Sequence, residues 1–418
     1  MGDVRIAERL AATSSHQRRD IVILGSTGSV GTQAVDIVRR NPDRFRVVAL
    51  AAGGSRPDLL ADQAVALGVE AVAVADTAAA EATRACLSDR GSTAKLLLGS
   101  SGVAEVATWP CSVVLNAITG ALGLESTLAA VNAGRLLALA NKESLIIGGP
   151  LVRAAAEPGQ IVPVDSEHFA LAQCFPRVEF SGLRSLAQGI VGAQTAELSR
   201  LVITASGGPF RGWSRGDLAG VTPEQALAHP TWSMGPMITV NSATLVNKGL
   251  EVIEAHLLFD VPFEQIRVVV HPQSVIHSMV ELVDGTTLAQ ASPPDMRLPI
   301  ANGIGWPHRV PGASTPVDWT SAHTWTFEPL DPRAFPAVEL AATVGATGGT
   351  APAVYNAANE EAVAAFLEHR LAFPAIVDTV AQVVSEHSGA AQDTGLPAVY
   401  AADAWARARA RELITRAG

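Results

Sequence analysis

Cysteine is nearly missing: the 418-residue chain has three, Cys86, Cys111 and Cys174. Their spacing fits neither a disulfide framework nor a zinc site, which implies a reducing compartment and hence a cytoplasmic protein. Long apolar runs are missing as well. None approaches the roughly 20 residues needed to cross a bilayer, which excludes a membrane span. Residues 1–19 lack the apolar stretch of a secretory signal and read as a disordered tail. Positive charge is in deficit. A formal net charge of -10 argues against nucleic acid as a partner, because phosphate backbones are bound through excess Lys and Arg. A phosphorylated small molecule remains compatible, since one local cluster of donors suffices for it. Aromatic residues are few and no internal repeat is visible. What is present is mainly Ala, Val, Leu and Gly, over a length that predicts two or three domains.

Short apolar runs alternate with helical patterns from Ile21 onward: Ile21 to Leu24, Val47 to Ala51, Ala71 to Ala75, Leu96 to Leu98, Ser112 to Leu115 and Leu136 to Leu139. Nearly continuous apolar strands separated by helices predict a parallel sheet covered on both faces, a doubly wound Rossmann-like α/β unit over 20–165. Beyond it the pattern becomes α+β over 166–305, with strands at Arg267 to Val270 and Val275 to Leu282 and a turn at Asp284-Gly285. Residues 306–332 are dense in Pro, Gly, Ser, Thr and Trp and read as an ordered linker. Residues 333–418 are Ala-rich and helical, including Ala353 to Glu368 and Tyr400 to Ala417, and predict a small helical bundle.

Chemistry is concentrated in a few places. Pro163-Val164-Asp165-Ser166-Glu167-His168 reads as the end of a strand, where Asp165 and Glu167, two residues apart, face one point. Like charges held that close repel, and a bound cation is the usual relief. A third acid comes from an amphipathic helix expected over Ser242 to Phe259. At about 100° per residue, Val246, Leu250, Ile253 and Leu257 form an apolar stripe, while Asn247, Lys248 and Glu251 gather on another arc. Glu254 lies at the edge of that arc as a rival ligand; a solvated face with a Lys–Glu pair is the plainer alternative.

Gly25-Ser26-Thr27-Gly28-Ser29-Val30-Gly31 follows the first strand and opens a helix running to Arg40, the arrangement that seats a pyrophosphate at a helix N-terminus. The second strand ends at Gly53-Gly54-Ser55-Arg56 without the acid that selects NADH. Arg56 there either pairs with the 2′-phosphate of NADPH or is a solvated charge. Lys142, in Asn141-Lys142-Glu143 at the carboxyl edge of the sheet, could contact a substrate oxygen or move a proton; a helix-capping turn is the alternative. Ser206-Gly207-Gly208-Pro209 offers a hydroxyl and consecutive N–H groups, which with Lys248 and with Ser242 at a helix N-terminus could hold a phosphate. The loop His229-Pro230-Thr231-Trp232-Ser233-Met234-Gly235-Pro236 reads as a water-excluding lid or as interdomain packing. His271 and His277 are expected to satisfy core hydrogen bonds, and Cys174 to lie in the core.

Together these blocks, with Leu139 to Ser144, His271 to Val280 and Asn356-Ala357-Ala358-Asn359-Glu360, resemble the 1-deoxy-D-xylulose 5-phosphate reductoisomerase family over about residues 20–390. The resemblance implies an NADPH-dependent homodimer that converts this sugar phosphate to 2-C-methyl-D-erythritol 4-phosphate by retro-aldol cleavage, re-addition and hydride transfer. It implies Asp165, Glu167 and Glu251 as ligands of Mg²⁺ or Mn²⁺, with Co²⁺ possible, and these acids with Lys142 as catalytic. Ser166, Lys142, Ser206, His229, Trp232, Met234, Ser242, Asn247 and Lys248 match substrate or lid contacts. Thr27, Gly28, Ser29, Val30, Asn141, Glu143 and Gly235 match cofactor contacts, and Gly53, Gly54 and Ser55 correspond less closely. The strand around His271 to Val280 is a candidate for the dimer contact.

Overall fold

A computed structural model describes residues 18–175, 197–232, 234–387 and 395–417. Residues 1–17 of the expected tail and Ser233 of the expected lid lie outside the described residues. Arg19 does not belong to a tail. It opens the first strand, its N–H donating to the Arg44 carbonyl at 2.8 Å, and its buried guanidinium reaches the carbonyl of Trp306.

Seven strands form the first sheet: β1 (Arg19–Leu24), β2 (Phe45–Ala52), β3 (Ala71–Val74), β4 (Lys95–Leu98), β5 (Val113–Asn116), β6 (Leu136–Leu139) and β7 (Ile161–Pro163). Their order is β4-β3-β2-β1-β5-β6-β7, and every pairing is parallel. β3, β5 and β6 are buried at every position, which is why their sequences run apolar without alternation. The order reverses between β1 and β5, and this switch point opens a crevice at the carboxyl edge. Gly25 ends β1 there with φ +81°, and a Cβ on it would lie 2.4 Å from the Ala117 carbonyl oxygen after β5. The helix Ser29–Arg40 starts immediately beyond. A Cβ on Gly31 would stand 2.2 Å from the Gly25 carbonyl oxygen, so glycine at both places sets how closely helix and turn approach.

The second sheet contains β8 (Leu198–Ala205), β9 (Ile266–Val270), β10 (Ile276–Leu282), β11 (Thr287–Ala291) and β12 (Glu328–Pro329), in the order β11-β10-β8-β9-β12. β8 and β9 are parallel and the other pairs antiparallel. Asp284-Gly285 forms the expected turn between β10 and β11, with Gly285 at φ +88° and Asp284 accepting from Thr286 N–H at 2.8 Å. β10 has β8 on one side and β11 on the other, so both its hydrogen-bonding edges are used. A dimer contact through it would have to use a face.

Two expectations need correction. The single helix over Ser242 to Phe259 is two helices, Pro236–Ala243 and Val246–Phe259, because Leu245 adopts φ +60° between them. Side-chain periodicity is blind to one residue of reversed backbone. Ser242 therefore occupies a last turn, not a helix N-terminus. The apolar stripe is nonetheless where it was expected, with Val246, Leu250 and Ile253 buried. The helix Arg297–Gly305, read with the second unit, packs on the first sheet. Ile300 and Ile304 are fully buried, and a Cβ on Gly303 would fall 2.8 Å from Val164 Cγ2 and 3.0 Å from Ala138 Cβ.

The helices Ala337–Thr347, Ala351–Leu367, Phe373–Glu386 and Leu396–Ala417 form the C-terminal region. Alanines let these axes approach, and Ala353, Ala357, Ala358, Ala362 and Ala365 are all fully buried along one helix. Among the described residues no helix is long and apolar enough to cross a membrane. Gly31→Ala should destabilise the protein by about 1–3 kcal/mol, the usual cost of forcing atoms into a packed contact. A urea melt measures this, and an unchanged midpoint would show that the helix–turn contact has slack.

Candidate active site

Asp165 and Glu167 do not converge in the way a strand would bring them together. β7 stops at Pro163, and Asp165 is the N-cap of the helix Ser166–Cys174, accepting from Ser166 N–H at 2.9 Å. Glu167 projects from the first turn of the same helix. Both carboxylates thus sit at the positive end of a helix, which favours their charge. Glu251 arrives from the helix Val246–Phe259, and one carboxylate oxygen from each of the three acids lies within 4.8 Å of the others. The convergence predicted from sequence is present, by a different local geometry.

Two ammonium groups compensate these acids. Lys142, at the start of the helix Lys142–Ala155, contacts Glu251 Oε1 at 2.9 Å and Asn247 Oδ1 at 3.1 Å, and forms an ion pair with Asp165. Lys248 reaches Glu167 Oε1 at 2.5 Å and pairs with Glu251. Ser166 Oγ donates to Glu167 Oε2 at 2.5 Å, and the Asn247 amide donates to Glu251. Burial opposes the charge on Lys142, yet Asp165 and Glu251 beside it raise its pKa well above the ordinary lysine value. Burial likewise opposes ionisation of Asp165, and Lys142 overrides it, holding that carboxyl well below its usual range. For Glu251 burial wins, reinforced by Glu167, and its pKa is raised.

Behind this triad lies a second group, Asp165, His168 and Glu254. The rival acid Glu254 therefore faces His168 and not Glu167. Burial pushes Glu254 up to about 8; for His168 burial is outweighed by Glu254 and Asp165, which lift it to about 9. His168 has no role assigned from the sequence alone. Its signal was the i,i+3 spacing from Asp165, which puts both on one helix face.

A cavity of about 730 Å³ is lined by the three acids, by Ser166, Ser206, Trp232, Ser242, Asn247 and Lys248, and by Ser29 and Val30. Gly207 and Gly208 turn at φ +84° and +63°, and Gly208 N–H donates to Ser206 Oγ at 3.3 Å. His229 Nδ1 accepts from the N–H groups of Thr231 and Trp232 at 3.1 and 2.9 Å. Its other nitrogen therefore carries the hydrogen and donates to Ser206 Oγ at 3.1 Å. Burial lowers its pKa, favouring that neutral form. Met234 and Gly235 also line the cavity, Gly235 as the cap of the helix Pro236–Ala243.

On the nucleotide side, Arg56 donates to the Thr27 carbonyl at 2.7 Å, joining the Gly53–Arg56 turn to the glycine-rich loop. Gly54 has φ +115° and packs so closely that a Cβ would lie 2.7 Å from Ala79 Cβ. Asn141 is a helix cap: its oxygen accepts from Ser144 N–H at 3.1 Å and its amide donates to the Gly120 carbonyl at 3.0 Å and to Glu143 at 2.9 Å. Met296, Arg297, Ser314 and Thr315 complete the cavity wall. No sequence signal marked them, because they come from irregular chain and from a helix expected elsewhere. His271 and His277 have the hydrogen bonds expected of core histidines, to Thr326 and Ser292 carbonyls at 2.8 and 3.1 Å, although His277 also borders the cavity. Cys174 is buried, its thiol pushed up to about 11 by burial.

The family described as 1-deoxy-D-xylulose 5-phosphate reductoisomerase matches residues 21–149, its C-terminal domain matches 161–259, and a further DXP reductoisomerase C-terminal domain matches 291–409. A 1-deoxy-D-xylulose 5-phosphate reductoisomerase of Kitasatospora griseola is 62% identical over 398 residues, 94% of this chain and 99% of that one. The chain belongs to the 1-deoxy-D-xylulose 5-phosphate reductoisomerase family. A reductoisomerase from Zymomonas mobilis solved in complex with NADPH has a TM-score of 0.84 and 40% identity, covering 95% of this chain and 99% of that one. A DOX-P reductoisomerase solved with NADPH, fosmidomycin and magnesium has a TM-score of 0.87 and 36% identity, covering 95% and 98%.

Removing one ammonium from this buried network should leave carboxylates uncompensated. Lys248→Met is expected to destabilise the chelator-treated protein by about 3–5 kcal/mol. Chemical denaturation reads this directly, and a wild-type midpoint would mean that Glu167 and Glu251 do not depend on Lys248.

Proposed function

We infer that the chain converts 1-deoxy-D-xylulose 5-phosphate to 2-C-methyl-D-erythritol 4-phosphate, using NADPH and a divalent ion. The observation that carries this reading is the meeting of Asp165, Glu167 and Glu251 in the wall of a cavity that Ser29 and Val30 of the glycine-rich segment also line. Three carboxylates with no thiolate suit Mg²⁺ or Mn²⁺, with Co²⁺ also admissible. Bound there, the ion supplies Lewis-acid stabilisation of negative charge developing on substrate oxygens.

The remaining roles fall to the chain's own groups. Ser206, His229, Ser242, Asn247 and Lys248 anchor the phosphate, with the His229 hydrogen directed to Ser206 and the Lys248 charge supplying the counter-ion. Lys142 and Ser166 hold the oxygens of the reacting carbons, and Lys142 is placed to move a proton. Trp232 and Met234 close over the cavity, keeping the two fragments of a retro-aldol cleavage together until they rejoin as a branched aldehyde. Hydride transfer to that aldehyde needs the nicotinamide beside the acids, which Gly235 and the Asn141–Glu143 turn position. Thr27, Gly28, Ser29 and Val30 receive the pyrophosphate, and Gly53, Gly54, Ser55 and Arg56 the 2′-phosphate.

The proposed domain division is nucleotide binding over 20–165, catalysis over 166–305, a linker over 306–332 and helices over 333–418. The helix Arg297–Gly305 is docked back on the first sheet. Three unpaired cysteines suit a reducing compartment, and we place the protein in the cytoplasm as a homodimer.

Purified protein should oxidise NADPH only when 1-deoxy-D-xylulose 5-phosphate and a divalent ion are both present. Full turnover in excess chelator would overturn the metal role, and a product with an unbranched skeleton by NMR would overturn the rearrangement. Glu251→Gln should lower kcat/KM by at least roughly 100-fold, as loss of a group that supports transition-state charge does, while NADPH affinity stays at the wild-type value in a fluorescence titration. Unimpaired turnover would remove Glu251 from the ligand set.

A further inference from the structure

His168 and Glu254 are buried beside the three acids and have no part in the reaction as derived above. His168 is 0% exposed and Glu254 1%. His168 Nε2 lies 2.9 Å from the Glu251 carbonyl oxygen. A carbonyl only accepts, so Nε2 carries the hydrogen and the ring orientation is fixed. Nδ1 is thereby turned toward Glu254 Oε2 at 3.1 Å, with Asp165 Oδ2 at 3.7 Å. The Phe259 ring, nearly parallel at 15° with centroids 6.4 Å apart, walls the imidazole on one face.

His168 belongs to the helix that carries Asp165 and Glu167, and Glu254 to the helix that carries Glu251. Their contact is therefore a brace between the two elements whose spacing decides whether the three acids converge. Among the described residues these helices are also linked by the His168–Phe259 ring contact and by the Lys248–Glu167 ion pair, and the ion pair uses groups that the proposed reaction needs for ligand and phosphate. The brace through His168 uses none.

We propose that His168 and Glu254 form a positioning pair that sets the separation of Asp165 and Glu167 from Glu251, and so the affinity for the divalent ion, without either residue touching ion or substrate. This rests on the assignment of Asp165, Glu167 and Glu251 as the metal site. Groups that orient metal ligands typically contribute roughly 10–100-fold to metal affinity.

The test is a Mn²⁺ titration followed by electron paramagnetic resonance of the free ion, on full-length protein with NADPH present. Glu254→Ala should weaken Mn²⁺ binding by roughly 10–100-fold, with NADPH affinity unchanged. Glu254→Gln should restore most of it, because an amide of the same shape can pair with Nδ1 either as donor or as acceptor. Wild-type Mn²⁺ affinity in Glu254→Ala would overturn the proposal. Equal weakening by Gln and Ala would also overturn it, since the effect would then come from charge or from direct ligation and not from position. Should Glu254→Ala not fold, His168→Asn decides in the same way: a wild-type affinity sinks the pair. Absence of Mn²⁺ binding by the unmodified protein would instead sink the metal-site assignment itself.

Discussion

Three carboxylates brought together out of water are the constraint around which the site is arranged. Asp165, Glu167 and Glu251 repel one another, and burial deepens the penalty because charge is poorly screened there. Each neighbouring feature offsets part of that cost. Two of the acids stand at a helix N-terminus, two ammoniums lie among the three, and hydrogen bonds from Ser166 and Asn247 satisfy further lone pairs. A buried ion network of this kind adds little net stability. What it provides is a fixed cluster of hard oxygen donors with compensating positive charge already in place.

Rigid packing behind the cluster keeps it fixed. The helix bearing Glu251 lies so close to the C-terminal helices that a Cβ on Gly249 would meet Ala341 Cβ at 2.7 Å and the Ala337 carbonyl oxygen at 2.9 Å. Asn359, from the helix Ala351–Leu367, donates across to Asn241 at 2.9 Å, one residue before Ser242 in the cavity wall. Arg407, on the helix Leu396–Ala417, reaches Glu360 of the helix Ala351–Leu367 at 2.6 Å and is held in place by Asp403 of its own helix at 2.7 Å. The C-terminal helices thus act on the site without lining it, by holding the elements that do.

How much of this could be read from the sequence follows from which interactions are local. The parallel strands were legible because burial on both faces writes continuous apolar runs, and the glycine-rich turn because strand, loop and helix follow in order. The convergence of the three acids is legible in the sequence, although its local geometry is not. A strand reading and an N-cap reading of Asp165 both direct its carboxylate to the same edge of the sheet, so the error in geometry did not displace the site. Leu245 was invisible because a leucine at positive φ has no compositional mark; the surrounding packing imposes it. The docking of Arg297–Gly305 on the first sheet is likewise tertiary: its small residue at 303 fits Val164 and Ala138, but nothing within the helix says which surface it will meet.

The cavity inherits its chemistry from that docking. Because Arg297–Gly305 folds back onto the first sheet, the segment leading into it carries Met296 and Asp295 to the opening shared by the glycine-rich loop and the acids. Arg297 Nε then reaches Asp36 on the helix Ser29–Arg40 at 2.8 Å, fastening the returning chain to the element that begins at the proposed pyrophosphate site. The first sheet meets the acid cluster through Lys142 beyond β6 and through Asp165 beyond β7, while the returning segment lines the same cavity. A nucleotide resting on the loop and a sugar phosphate resting on the acids would share one enclosed volume. That common enclosure is what a hydride passing directly between two ligands requires.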